Sequence, residues 1–146
     1  DITDSMFNSE LKKYVRFVVS PAERLPFEDS SFDRVSSAFL TRNLADIDRY
    51  FSEVYRVLKR GGIFVNMDIY NPTRPVISEL FGIYFYRFVP FLGNKATGSK
   101  NYTYLANTVR YFHRPEVITQ KLVEKGFSVQ SIDLFFGAVY LHVATK

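Results

Sequence analysis

The apolar residues in the middle of the chain change from helical spacing to an unbroken run at a pair of glycines. Residues 62–70, GIFVNMDIY, are apolar on both alternating faces, which is typical of a buried parallel strand covered by helices. Before them, 44–60 are predicted to form an amphipathic helix, with Asn43 as its N-cap and Gly61 as its left-handed C-cap. Its apolar positions recur at helical spacing: Ile47, Tyr50, Phe51, Val54 and Leu58.

Shorter patterns precede that helix. Residues 4–14 have apolar side chains at helical spacing and predict a short helix. Residues 15–19, VRFVV, and 34–40, RVSSAFL, are rich in β-branched and apolar side chains and predict two strands. Two prolines break the segment between them into a loop.

The second half of the chain adds an aromatic segment and a closing hairpin. Residues 74–112 are rich in Phe and Tyr and are predicted to be helical in parts, and 114–127 predict a further helix. The last two predicted strands, 128–135 and 138–145, are too close in sequence for a parallel crossover, so they must form an antiparallel hairpin. The predicted fold is an α/β sheet, mostly parallel with an antiparallel C-terminal hairpin.

Composition narrows the class of protein. The chain has 146 residues, 47% apolar and 23% charged, which fits one globular domain. The absence of cysteine excludes disulfides and thiolate sites and is compatible with a cytoplasmic location. The net charge is +4 and the basic residues are spread along the chain, so we expect no nucleic-acid partner. No apolar run is expected to be long enough to cross a bilayer.

Three segments supply candidate ligand-binding residues, because open α/β sheets bind ligands at the carboxyl ends of their strands. They are DITDSM at the chain start, SPAERLPF after the first predicted strand and AFLTRN after the second. Each also has a structural interpretation, as a helix-capping Asp, an ordinary loop and an N-cap. The sequence shows no Gly-rich phosphate loop, and no metal-ligand cluster is expected.

Taken together, three long stretches resemble one family. AERLPFEDSSFDRV, LTRNLADIDRYFSEVYRVLKRGGIFVNMDIYNPT and GFSVQSIDLFFGAVYLHVATK are similar to the UbiE family of S-adenosylmethionine-dependent C-methyltransferases, which act in ubiquinone and menaquinone synthesis. The resemblance covers essentially the whole chain. It implies a Rossmann-like class I methyltransferase sheet, S-adenosylmethionine as methyl donor and a quinone-like small molecule as acceptor.

The resemblance also implies which residues hold the methyl donor. Asp1 matches the acid that binds the ribose, and Pro21 with Ala22 matches the pair that contacts adenine. Ala38 matches a position near the methionine part of the donor. Pro21 and Ala38 depart from common family choices, which keeps open a non-catalytic binding module.

On the acceptor side, Arg42 and Asn43 match the RN pair of the family, where Arg42 could help to activate a water. Arginine itself is a poor base, because its pKa exceeds about 12. Asp68 and His113 are therefore alternative candidates for the group that accepts the proton. A methyltransferase for another small molecule or lipid is a further alternative, because the YRVLKxGG motif is widely shared.

The aromatic insertion at about 74–112 has two interpretations. Its aromatic rings could form an apolar trough for an isoprenoid tail, and an exposed aromatic face could rest on a membrane surface, or the rings could pack as a lid on the sheet. Peripheral membrane contact and a homodimer are both compatible with the sequence.

Part of the family pattern is absent from this sequence. The first strand and the Gly-rich donor loop of the family would precede Asp1, and in that fold the first two strands lie between the third and fourth. We therefore expect residues 1–146 to be the C-terminal portion of a single methyltransferase domain, since buried backbone groups would otherwise be left unpaired.

Overall fold

The computed structural model describes residues 13–98 and 100–146, so Asp1 and most of the helix predicted at 4–14 lie outside the described residues. The elements in chain order are strand β1 (Phe32–Ala38), helix α1 (Ile47–Val57), strand β2 (Leu58–Ile69), helix α2 (Pro75–Ile83), a π-helical turn (Tyr84–Phe88), helices α3 (Val89–Thr97), α4 (Asn101–Arg110) and α5 (Pro115–Glu124), and strands β3 (Ser128–Asp133) and β4 (Val139–Thr145). A 3₁₀ turn, Thr41–Asn43, connects β1 to α1.

The described strands form one mixed sheet in the order β1-β2-β4-β3. β1 runs parallel to β2, with Val35 opposite Phe64. β4 is antiparallel to both of its neighbours, so Ala144 lies opposite Phe64 on one side and Val129 on the other. The α/β fold and the C-terminal hairpin are confirmed. Within the described residues the parallel part is a single strand pair.

The core lies on one face of β2. Alternate residues of this strand and its carboxyl end are buried, and they comprise two apolar and two polar side chains: Phe64, Asn66, Asp68 and Tyr70. Helices α1 and α5 cover this face with Phe51, Val54, Ile118 and Leu122. Because helices pack on this strand, it reads as a nearly continuous apolar run in the sequence.

The predicted ends of α1 are wrong by up to one turn. Asp46 is the N-cap, because its carboxylate accepts a hydrogen bond from the Arg49 backbone N–H at 2.9 Å. Asn43 instead belongs to the preceding 3₁₀ turn. Gly61 has the predicted positive φ of 73°, but it lies in the irregular start of β2, where its N–H donates to the Lys146 carbonyl at 2.8 Å.

The strand predicted at 15–19 is wrong, because these residues have no strand conformation. A β-branched run becomes a strand only by pairing with a neighbour. Local propensity therefore indicated an extended segment, but it could not supply the pairing.

The expectation that no apolar run is long enough to cross a bilayer is also wrong. Helix α2, the π-helical turn and α3 form one continuous helix, Pro75–Thr97, of 23 residues with a mean hydropathy of 1.2. By length and composition alone it could span a membrane, and little of it is buried. Its charged residues, Glu79, Arg87 and Lys95, interrupt the apolar run in the sequence and conceal its length.

One side of this long helix packs on the body of the protein. Phe85 is buried in a small cluster with Ala106 and Val109 of α4. Phe81 stacks on Phe85, with 4.8 Å between ring centroids. Two of the aromatic side chains in the insertion are therefore packing residues, as the lid interpretation predicts.

Candidate functional site

The chain reverses sharply at the carboxyl end of β1. Ala38 ends the strand, and Phe39 follows with a φ of 59°, in the left-handed region that bulky residues rarely adopt. The Phe39 N–H donates to the Met67 carbonyl of β2 at 2.8 Å and holds this conformation. Strained backbone of this kind concentrates at functional sites. The left-handed conformation of Phe39 places the turn Thr41–Asn43 beside the carboxyl end of β2.

Arg42 and Asp68 form a buried ion pair at this point. The Arg42 Nη1 lies 2.5 Å from the Asp68 Oδ1, and the two side chains are 8% and 0% exposed. The same carboxylate accepts hydrogen bonds from the backbone N–H groups of Arg42 at 3.2 Å and Ile69 at 2.8 Å. Both carboxylate oxygens are therefore engaged. Asp68 therefore holds the Arg42 guanidinium in place.

Asn43 joins the strand end to the aromatic segment. Its amide Nδ2 donates to the Phe39 carbonyl at 3.0 Å, and its Oδ1 accepts from the Tyr104 hydroxyl of α4 at 3.2 Å. The neighbouring residue Arg42 lies over the Phe39 ring at 5.7 Å. This turn thus connects the sheet to the helical lid through side-chain hydrogen bonds.

Two cavities lie on either side of this turn. The first has a volume of about 700 Å³ and is lined by Ala22, Ala38 and Asn43, among others. The second has a volume of about 360 Å³ and is lined by Arg42, Tyr104 and His113, among others. Leu44 lines both cavities, so the segment from Arg42 to Leu44 is their common wall.

The structure brings together most of the predicted site residues that it describes. Ala22, Ala38 and Asn43 line the first cavity, and Pro21 lies in the chain between two of its lining residues, Ser20 and Ala22. Arg42 and His113 line the second cavity, and Asp68 is buried behind Arg42.

A polar layer crosses the core next to the first cavity. Ser37, Asn66, His142 and Ser131 are cross-strand neighbours in one row over the four strands. The Asn66 Oδ1 accepts from the hydroxyls of Ser37 and Thr41, each at 2.8 Å. The Asn66 Nδ2 and His142 Nδ1 have no hydrogen-bond partner.

The sequence analysis did not predict this polar layer, although one residue of the sequence indicates it. Asn66 is a polar residue inside the otherwise apolar run GIFVNMDIY, and buried polar groups are normally hydrogen-bonded. Tyr50 of α1 lines the first cavity, and burial raises its pKa to about 12, partly offset by a hydrogen bond with Ser37. The layer therefore reaches the cavity wall.

The buried histidine predicts a pH dependence of stability. Burial lowers the pKa of His142 below its usual value of 6.5, so the folded protein binds a proton on this ring less readily than the unfolded chain does. As the pH falls through 6.5 the unfolded chain takes up this proton first, so the free energy of unfolding decreases, by up to about 1.4 kcal/mol per pH unit. Urea unfolding between about pH 7 and pH 5 measures this slope.

The matched variants are His142→Phe and His113→Asn. We expect the first to flatten the pH slope and the second, at an exposed histidine, to leave it unchanged. Equal slopes in the wild type and in His142→Phe would show that His142 does not cause the dependence.

The described sheet, with its antiparallel C-terminal hairpin, has the fold of solved SAM-dependent methyltransferases. The solved structure of a SAM-dependent methyltransferase from Thermotoga maritima superposes with a TM-score of 0.69 at 20% identity, covering 100% of this chain and 71% of that one.

The chain belongs to the ubiE/COQ5 methyltransferase family, which it matches over residues 2–146. It is 38% identical over 133 residues to a demethylmenaquinone methyltransferase of Thermus thermophilus, covering 90% of this chain and 60% of the relative. It is 34% identical over 148 residues to the ubiquinone/menaquinone biosynthesis C-methyltransferase UbiE of Bartonella bacilliformis, covering 95% of this chain and 57% of the relative. The chain thus spans less than two thirds of these relatives' length.

Proposed function

We propose that the protein transfers a methyl group from S-adenosylmethionine to a ring carbon of a quinone or hydroquinone precursor in menaquinone or ubiquinone synthesis. One observation carries the proposal: Asn43 and Arg42, adjacent in the chain, line two cavities that share Leu44 as a lining residue. A donor in one cavity and an acceptor in the other would lie next to each other where the cavities adjoin, and proximity of this kind favours a transfer reaction. The family and the names of the two relatives support a quinone-type acceptor.

The residues of the larger cavity fit a nucleoside-bearing donor. The small side chains of Ala22 and Ala38 leave room, while Glu23 and Ser36 supply polar groups on the same wall. When bound there, S-adenosylmethionine supplies the electrophilic methyl group.

The residues of the smaller cavity would prepare the acceptor. A phenol becomes a better carbon nucleophile when it loses its proton, and the ring carbon that gains a methyl group must lose a proton too. The Arg42 guanidinium, held by Asp68, can stabilise a phenolate oxygen. The His113 imidazole lines the same cavity and is exposed, so it is the candidate that can accept a proton, whereas Asp68 is fully engaged.

Replacing His113 with asparagine is expected to lower kcat by about 10²-fold or more, with a smaller change in KM, because the substitution removes a proton acceptor and little apolar contact. Steady-state methyl transfer from labelled S-adenosylmethionine measures both constants. A kcat within about twofold of the wild type would exclude His113 as the base.

The aromatic side chains of the insertion differ in exposure, so only some of them are available to form a trough for the acceptor tail. Phe85 is buried against α4, so its substitution would mainly disturb packing. Phe88 is more than half exposed and stacks on Tyr84, with 6.0 Å between ring centroids. We therefore propose that the exposed rings of the insertion, rather than the buried ones, contact an isoprenoid tail.

The direct test of the function is methyl transfer to a short-tailed demethylated naphthohydroquinone by the native-length protein. Label on the ring carbon supports the proposal. Donor binding without ring methylation would favour another small-molecule or lipid acceptor, and absence of both would favour a non-catalytic binding module. A cytoplasmic location and a homodimer stay predictions, which fractionation and light scattering would test.

A further inference from the structure

The helix Pro75–Thr97 has one face that the rest of the described protein leaves uncovered. Large apolar side chains on this outer face are 45–69% exposed. Their spacing of four, three and one residues repeats along the helix, so they form a single stripe. They are Val76, Leu80, Ile83, Tyr84, Phe88, Phe91 and Leu92. An exposed apolar patch of this extent indicates an interaction surface.

The opposite face of the same helix is fixed to the protein. Phe85 is buried against α4, and Asn94 is hydrogen-bonded to Thr103 through its Nδ2 at 2.7 Å. A Cβ on Gly93 would lie 2.4 Å from the Tyr102 ring, so the backbone of α3 approaches α4 as closely as a glycine allows. The helix therefore presents its outer face from a rigid support.

These contacts favour a helix that lies on a membrane over one that crosses it. A spanning orientation would break the packing on α4 and would carry Glu79, Arg87 and Lys95 into hydrocarbon, which is costly. In the plane of the interface, the apolar stripe can enter the headgroup region while the long basic side chains remain in water.

The charge of the protein near this helix indicates which kind of partner surface it would bind. Residues 74–114 contain six basic side chains and one acidic one, Glu79. The chain has 19 basic and 15 acidic residues, so the remainder has 13 and 14. Residues 74–114 thus have a net charge of +5 and the rest of the chain a net charge of −1, and two of the basic side chains, Arg87 and Lys95, lie on the helix that carries the apolar stripe. The basic residues of this segment are Arg74, Arg87, Lys95, Lys100, Arg110 and Arg114.

We propose that the outer face of Pro75–Thr97 docks the protein on a bilayer containing anionic lipids. Apolar burial and attraction to lipid phosphates act together at such a surface. A second copy of the chain is disfavoured as the occupant, because a two-fold interface would place this basic segment against itself. The proposal goes beyond methyl transfer and depends only on the surface.

Flotation of the native-length protein with vesicles tests the proposal without any substrate. We expect binding to phosphatidylcholine vesicles containing about 30% phosphatidylglycerol, and binding weaker by about tenfold or more to pure phosphatidylcholine or at about 0.5 M salt. The double variant Leu80→Ser and Ile83→Ser should lose at least about tenfold in partition. The matched control is Val123→Ser with Leu134→Ser, two aliphatic residues of similar exposure outside the stripe, and it should bind as the wild type.

A second pair of variants separates charge from apolar burial. Arg87→Glu with Lys95→Glu should lower binding to the anionic vesicles by about tenfold or more, whereas Arg34→Glu with Arg60→Glu, an equal change of charge elsewhere, should have a smaller effect. Circular dichroism confirms that each variant is folded.

Three results would overturn the proposal. They are failure of the wild type to float with anionic vesicles, equal losses in the stripe variants and their controls, and a dimer that dissociates in Leu80→Ser with Ile83→Ser. The last result would identify the outer face as a contact between copies. Methyl transfer to a short-tailed acceptor is measured in solution, so failure of docking is distinguishable from failure of the enzymatic function.

Discussion

Replacing Asp68 with alanine is expected to lower the free energy of unfolding by about 3–5 kcal/mol, because it leaves the Arg42 guanidinium buried without its counter-charge. The backbone N–H groups of Arg42 and Ile69 lose their acceptor as well. This is a large part of the usual stability of a domain, about 5–15 kcal/mol. Urea unfolding of the native-length protein, followed by circular dichroism, measures the change.

Two further variants test the cause. Asp33→Ala removes an exposed ion pair with Lys59, 3.0 Å apart, and should change stability by less than about 1 kcal/mol. Arg42→Met combined with Asp68→Leu removes both charges and should recover much of the loss, because the cost comes from an unpaired buried charge. If Asp68→Ala were no more destabilising than Asp33→Ala, the buried pair would not hold the site.

Replacing Phe64 with alanine is expected to lower the free energy of unfolding by about 3–5 kcal/mol, because apolar burial is lost and a cavity remains. Phe64 is fully buried in the middle of β2. Its ring centroid lies 6.0 Å from that of Tyr50, 6.2 Å from Phe51 and 6.3 Å from Phe127. The Phe64 ring therefore packs between α1 and the segment that leads into β3. Thermal or urea unfolding of Phe64→Ala measures the change in the free energy of unfolding.

The control for this substitution is Phe135→Ala in the turn between β3 and β4. Phe135 is 60% exposed, so its removal should change stability by less than about 0.5 kcal/mol. Similar losses in the two variants would contradict a core centred on Phe64.

The sequence predicted the elements whose signals are local. The helical spacing from Ile47 to Leu58 identified α1, and the short distance between the last two strands required the hairpin. The ends of α1 were less accurate, because Asn43 and Asp46 are both good N-cap residues and only the folded turn decides between them.

The sequence-based predictions were wrong where the conformation of a segment depends on pairing or packing with other segments. The run VRFVV has strand propensity, but pairing determines whether it becomes a strand. The length of the apolar helix was hidden, because Arg87 and Lys95 lie on its exposed face and interrupt the pattern without ending the helix.

The candidate site was predicted in part. The residues near the end of β1 were recognised through the family motif, and Ala22, Ala38 and Asn43 do share a cavity. The pairing of Arg42 with Asp68 could not be read from the sequence, since the two residues lie on different elements. Tyr104 was missed because its hydrogen bond to Asn43 spans 61 residues.

We propose that the cavity beside β1 holds a nucleoside-bearing methyl donor, and calorimetric titration with S-adenosylhomocysteine measures this binding. We expect the native-length protein to bind one molecule, and Ala38→Leu, which fills the cavity, to weaken binding by about tenfold or more. Ala96→Leu, an equal change at an exposed position of α3, should have no effect. Absence of binding by the wild type, or equal affinity in Ala38→Leu, would contradict the account.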